Sequence, residues 1–242
     1  MSLFAFPSRP VAAHDYAISP LHASAVPVLF GPLTGQRWLP FSGGKILRLM
    51  LGRYEPDQSA LIARSLGPGD VFYDVGAAVG YYSLLAARRV GEHGYVVAFE
   101  PDVRNAAFLR RHVIVNQLTN VELHQVAVSD RSGLEQFSRG TGTGTGHLSE
   151  MGDSCVHVCR LDDIVQDTPP PTHIKIDVEG AEQRVLEGAM GILVGARPII
   201  FLSVHGPEMK ANCQRLLRGL EYELEPMSQD PKHSDEWICL PT

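Results

Sequence analysis

Three groups of residues have types and spacings that could do chemistry. The first is Asp74, Gly76 and Gly80, in "VFYDVGAAVGYYSLLAARR" from Val71 to Arg89. This stretch reads as a buried strand, a short turn and the first turns of a helix, the shape of a nucleotide-cofactor site. Its two glycines are four apart. A dinucleotide pyrophosphate loop wants glycines two and three apart, so the nicotinamide reading is the weaker one. Asp74, at the strand's end, would also repel a pyrophosphate. It would instead suit S-adenosylmethionine, whose methionine end carries an ammonium and a sulfonium. Two unit charges about 4 Å apart gain on the order of 4 kcal/mol at a surface-like dielectric, before desolvation is counted. Gly76 would let backbone come close to such a ligand, and Gly80 would open the helix.

The second is Glu100, which ends "YVVAFEP". An acid at the end of the second strand can accept both ribose hydroxyls of an adenosine. Nicotinamide sites use the same contact, so Glu100 indicates an adenosine without choosing the cofactor. The plainer alternatives are a helix cap for Asp74 and a solvated strand end for Glu100. The third group is Asp177 and Glu179 in "KIDVEGAE", with His205 in "SVHG". A sugar alcohol hardly ionises at neutral pH, so its proton must leave as a methyl arrives. The base is expected where open α/β sheets bind ligands, at the C-terminal strand ends. His205 is the favoured base, because an ordinary histidine titrates at about 6.5. Its alternative is a strand-end histidine bonded to backbone. Asp177, Glu179 and His205 could form a partial ligand set for a divalent ion, but no Asp-Asn pair on the next strand completes it, and no metal is expected. "CVHVC" puts Cys155, His157 and Cys159 on one face of a strand, which reads as a buried face rather than a zinc site.

These residues need elements to hold them. "VFYDVGA", "YVVAFEP", "VELHQVAV", "HIKIDVEG" and "PIIFLSV" are short apolar runs. Helices are expected from about Gly80, over Val103 to Asn116, from Ala181, and along Met209, Cys213, Leu216, Leu217 and Leu220. Such alternation predicts a doubly wound α/β sheet covered on both faces. "YELEPM" and "EWICLPT" follow with no helix between them, an antiparallel edge. Upstream, residues 1–50 read as a polar arm and a β-hairpin around Gly31-Pro32 and Gly35. Residues 51–242 read as the main domain, with an insertion at about 132–165 that contains "TGTGTG". That glycine-rich stretch is either an exposed hairpin tip or a lid over a substrate.

Composition narrows the function. Hydrophobic residues are 44% of the 242, enough for one sizeable core. The net charge of −6 argues against a phosphate-backbone reader. Four scattered cysteines with no CxxC pair read as reduced thiols. No signal peptide or membrane span is evident, so a cytoplasmic protein is expected.

"DVGAAVGYYSLLAA", "VVAFEPDVRNAAFLRRHVIVNQLTNV" and "HIKIDVEGAEQRVLEG" together resemble the FkbM-type methyltransferases of the seven-stranded, S-adenosylmethionine-dependent superfamily. The resemblance covers roughly Gly52 to His205. It implies a Rossmann-like three-layer sheet in strand order 3-2-1-4-5-7-6, with strand 7 antiparallel. It implies O-methylation of a small-molecule or carbohydrate acceptor. By position, Asp74, Gly76, Ala77 and Gly80 would line the methionine part of the cofactor. Glu100 would hold the ribose, Asn105 would support that turn, and Val126 and Ala127 would lie near the adenine. Asp177 would stand close to the transferable methyl. The family usually has Asn at the place of Ala78, and often an acid at the place of Ser203. A cofactor-binding relative without turnover is therefore the alternative function. Where enzymes that methylate base amino groups carry an Asn/Asp-Pro-Pro-aromatic motif, this chain reads "DVEG", so nucleic acid is not the expected acceptor.

Overall fold

Apolar runs bounded by glycine or proline become strands here, and stretches whose apolar period lengthens to 3.6 become helices. The computed structural model describes residues 25–43, 46–140, 142, 144–230 and 233–242. All but the last residue of the expected N-terminal arm lies outside them. Val26–Pro27 (β1) and Arg37–Trp38 (β2) pair antiparallel. Gly31 and Gly35 turn the chain between them at φ 82° and 85°. Ile46–Met50 (α1) and Pro56–Ser65 (α2) follow. Pro56 opens α2, where its missing N–H would have had no helical partner.

The regular part begins with Val71–Val75 (β3), Tyr81–Val90 (α3), Tyr95–Phe99 (β4), Val103–Val115 (α4) and Val121–His124 (β5). The expected run "VELHQVAV" then divides. Ala127–Val128 (β6) leaves the main sheet and joins Gly133–Ser138 (β7), His147–Leu148 (β8) and Ser154–Cys159 (β9) in a second sheet, in the order β6-β9-β7-β8. The buried face expected for "CVHVC" is corrected: Cys155 and His157 are exposed and only Cys159 is buried. Most of β9 runs along β7 at the surface, and only its last two residues tuck against β6. All four cysteines are free thiols.

Leu161–Ile164 (α5) leads to His173–Ile176 (β10). The single helix expected from Ala181 is two short ones, Glu182–Glu187 (α6) and Met190–Gly195 (α7). The break falls at Gly188, which packs so tightly on the Ser129 carbonyl that a Cβ would collide with it. Ile199–Ser203 (β11), Pro207–Gly219 (α8), Tyr222–Pro226 (β12) and Glu236–Pro241 (β13) close the described chain.

The main sheet runs β5-β4-β3-β10-β11-β13-β12. Numbered along the chain, its strands lie in the order 3-2-1-4-5-7-6, and the seventh is antiparallel to both neighbours. This is the Rossmann-like arrangement that the sequence resemblance implied. Phe72, Val96 and Phe201 face a core shared with α2, α3 and α4, while Tyr73, Val97 and Ile200 face one shared with α6, α7 and α8. Strand periodicity has a consequence for chemistry. Residues two apart share a face, so Asp74 follows Phe72 to the α3 side. Lys175 is its register partner on β10. No helix among the described residues is long and apolar enough to cross a membrane.

Candidate active site

The glycine loop expected to hold the cofactor is built by two close approaches. Gly76 sits at φ 80°, and a Cβ there would collide with the Asp177 carbonyl. Gly80, at φ 95°, opens α3, and a Cβ there would lie 2.8 Å from Leu109 Cγ. The amides of Gly76 and Ala77 both donate to the Phe99 carbonyl, at 3.1 and 3.0 Å. The loop is thereby held between the ends of β4 and β10. Gly76→Ala should therefore lower stability and remove cofactor affinity together. The left-handed backbone alone costs a non-glycine residue roughly 1–2 kcal/mol, and the collision adds to it. Urea melts and ligand titration of that variant would check this; a wild-type response in both would mean that the loop is not held as described.

A cavity opens above this loop. Glu100 forms part of its wall and is 5% exposed. Its Oε1 accepts from the Asp102 amide at 2.8 Å and from Asn105 Nδ2 at 3.3 Å, and its Oε2 accepts from the Ala78 amide at 2.8 Å. Burial pushes this carboxyl up to about 7, against those donors. A carboxylate offers about four lone-pair sites, and three are in use. One ribose hydroxyl can bond to Oε2 directly; the two-hydroxyl contact expected from the sequence needs Asn105 to yield. Gly76, Asn105, Val126, Ala127 and Asp177 line the same cavity. So do Gly144 and Gly146 of the "TGTGTG" stretch, whose Thr141 and Thr143 lie outside the described residues.

Three of the expected cofactor residues stand back from the cavity. Ala77 and Gly80 act through the backbone just described. Asp74 is the larger surprise, because its carboxylate is fully buried. Oδ2 accepts from Ser83 Oγ at 2.6 Å, and Oδ1 lies 3.6 Å from Lys175 Nζ, an ion pair longer than a hydrogen bond. The cation that meets Asp74 is thus the chain's own. Lys175 also donates to the Gly76 carbonyl at 3.2 Å and lies 3.7 Å from Asp177 Oδ2. Burial would pull this lysine down, but Asp177, Asp74 and Glu55 outweigh it and hold the ammonium above its ordinary range. Ser203, in the place of the family's acid, takes a bond from Gln58 Nε2 at 3.4 Å.

Asp177, Glu179 and His205 converge at the cavity's rim. His205 Nε2 is 3.9 Å from Asp177 Oδ1 and 3.6 Å from Glu179 Oε2, and Nδ1 is 2.8 Å from buried Glu182 Oε1. Glu179 adopts φ 57°, a left-handed conformation that costs a non-glycine residue energy and often marks a functional turn. One ligand atom from each of Asp177, Glu179 and His205 falls within 4.8 Å of the others, close enough to share a cation. The same crowding acts on the proton. The Glu182 bond first, and then the Asp177 and Glu179 charges, outweigh burial and raise His205 to about 9. The expectation of an ordinary histidine is corrected: at neutral pH this ring is mostly an imidazolium.

A second cavity shares Ala78 and Gly144 with the first. Trp38, Ile46, Leu49, Tyr54 and Tyr81 line it, so its wall is apolar and aromatic. Its position is fixed by His112. That ring stacks on Trp38 at 3.9 Å, bonds the Leu39 amide through Nε2 at 3.1 Å, and meets the Val79 carbonyl through Nδ1 at 2.8 Å. Burial lowers His112 to about 4, which keeps the ring neutral, with Nε2 as acceptor and Nδ1 as donor.

The model of the methyltransferase FkbM domain matches residues 74–233, well over half of the chain. The chain belongs to the FkbM methyltransferase family. A hexuronic acid methyltransferase, AglP of Haloferax volcanii, is 26% identical over 192 residues, which are 77% of this chain and 78% of that protein. The crystal structure of an FkbM methyltransferase from Methylobacillus flagellatus superposes with a TM-score of 0.56 at 20% identity, over 71% of this chain. This chain spans only 43% of that longer one. An S-adenosylmethionine-dependent O-methyltransferase from Thermotoga maritima gives 0.51 at 16% identity, over 77% of this chain and 66% of that one. The two structures share the fold.

Against this FkbM domain, sequence reasoning missed Lys175, Trp38 and Tyr54, and reads Glu182 only as an acid at a helix start, without its contact to His205. Lys175 had a visible signal, a charge inside the apolar run "HIKI". Trp38 and Tyr54 had none, because they meet the cofactor loop only through tertiary packing.

Proposed function

We propose that this FkbM-family chain transfers a methyl group from S-adenosylmethionine to a hydroxyl of a small molecule, sugar or glycolipid. Glu100 carries the reading. It is a buried carboxylate at the end of the second sheet strand that lines the cavity, with three of its acceptor sites in use and the glycine turn beside it. Gly76, Ala77 and Gly80 would shape the turn against the methionine part, and Val126 and Ala127 would flank the base. When bound, the cofactor would supply an electrophilic methyl on its sulfonium. The chain's own residues orient the acceptor and take its proton. The second cavity suits the acceptor, because it meets the first at Ala78 and its aromatic wall fits the apolar face of a ring. A carbohydrate is in keeping with the hexuronic acid acceptor of the Haloferax relative, and the negative net charge disfavours nucleic acid.

His205 Nε2 is the proposed base, with Asp177 and Glu179 stabilising the imidazolium that results and Glu182 fixing the ring from behind. Only the neutral ring can accept a proton. Turnover with a hydroxyl acceptor should therefore climb from neutral pH, reach half its plateau at about 9 and level off above that. His205→Gln should lower kcat and leave cofactor affinity nearly unchanged. A flat pH profile in the wild type would move the role to Asp177 or Glu179.

Calorimetric titration with S-adenosylhomocysteine, and NADH as control, tests the cofactor. Binding of the first alone supports the reading. Binding of NADH alone would favour an oxidoreductase. Binding of S-adenosylhomocysteine without turnover across hydroxylated acceptors would favour a silent relative.

A further inference from the structure

We propose that the surface formed by the described residues between 25 and 54 docks on an anionic lipid bilayer. Nothing in the family match reaches this segment, which ends before residue 74. Leu29, Phe30, Phe41, Leu47 and Leu51 are all more than half exposed, and Phe41 is 90% exposed. Phe30 is bridged to Leu51, and Leu47 stands one turn before Leu51, so these three side chains are presented from adjoining segments. Apolar side chains clustered this way on a surface mark a contact.

Charge selects the partner. The charged residues among those described between 25 and 54 are Arg37, Arg48 and Arg53, with no Asp or Glu, in a chain whose net charge is −6. Arg48 and Arg53 are exposed. A two-fold contact with a second copy would bring these cations against one another. Protruding apolar groups with exposed Arg48 and Arg53 on the same segment match an interface of acyl chains under anionic headgroups, which needs no preformed cavity. The same segment supplies Trp38, Ile46, Leu49 and Tyr54 to the second cavity, so a docked chain would hold that cavity close to the headgroups. The proposal stands on the surface alone and is tested without catalysis.

The test is co-sedimentation with vesicles of equal parts phosphatidylcholine and phosphatidylserine, against phosphatidylcholine alone. The chain should pellet with the anionic vesicles only, and lose that binding in about 1 M salt. Phe41→Ser with Leu47→Ser, and separately Arg48→Glu with Arg53→Glu, should each weaken binding by about tenfold or more. Affinity for S-adenosylhomocysteine and the circular dichroism spectrum should stay as in the wild type. Absence from both pellets, or variants that pellet like the wild type, would overturn the proposal. So would a dimer abolished by Leu47→Ser in a chain that ignores vesicles, since a second copy would then be the occupant.

Discussion

Glu100→Ala lowers affinity for S-adenosylhomocysteine by about tenfold to a hundredfold, the equivalent of one hydrogen bond to a charged group worth about 1.5–3 kcal/mol. Stability should fall as well, because the same carboxylate holds the Ala78 and Asp102 amides in place. A pH series separates the two effects. Burial raises Glu100 from 4.5 to about 7, so the folded chain keeps a proton that the unfolded chain has already lost over that interval. The group's contribution to stability is therefore fully present below pH 4.5 and disappears as pH rises through about 7. Ligand affinity runs the other way. Only the ionised carboxylate offers every lone pair to ribose, so affinity climbs as pH rises through about 7. Glu100→Gln removes both dependences. Unchanged affinity in the alanine variant would show that ribose is held elsewhere.

Lys175→Met destabilises the fold by about 3–5 kcal/mol, the usual cost of stranding one partner of a buried ion pair. Asp74 has no exposed surface, its Oδ1 has no hydrogen-bond partner, and Lys175 is the cation beside it. Its remaining bond comes from Ser83. A loss of that size is a large part of the roughly 5–15 kcal/mol that holds a domain together. Replacing both residues, Asp74→Asn with Lys175→Met, should recover much of it, because no uncompensated charge remains. Urea melts of the two single variants and the double complete the cycle. A single-variant loss under about 1 kcal/mol would mean that water reaches Asp74. Cofactor affinity should also fall in Lys175→Met, since the lysine ties the Gly76 carbonyl to Asp177 across the floor of the site.

The sheet was legible because strands buried on both faces must be apolar runs, and "YVVAFEP" and "PIIFLSV" are short and sharply bounded. Glu100 was legible for the same reason, as an acid where such a run ends. Asp74 was placed correctly on its strand, yet its partner was not. The lysine that neutralises it lies on β10, brought alongside by sheet register alone. His205 was found by its position at a strand end. Its raised pKa depends on Glu182 at the start of α6, and no linear spacing conveys that contact. The split of "VELHQVAV" was equally hidden, since both halves are apolar and only the second sheet gives the latter half a neighbour.

The site is divided between β3 and β10, which are adjacent strands joined by a long detour through α3, β4, α4, β5 and the whole second sheet. Parallel pairing across so much intervening chain closes a large loop, and such contacts form slowly. The glycine turn has no Asp177 to lean on until that closure is made. A half-folded chain therefore lacks the Asp177 wall of the site, even where Glu100 and its partners at the end of β4 have formed. Ligand added during refolding would leave the forward rate as it was, and would act only afterwards, by slowing the escape of chains that had already arrived.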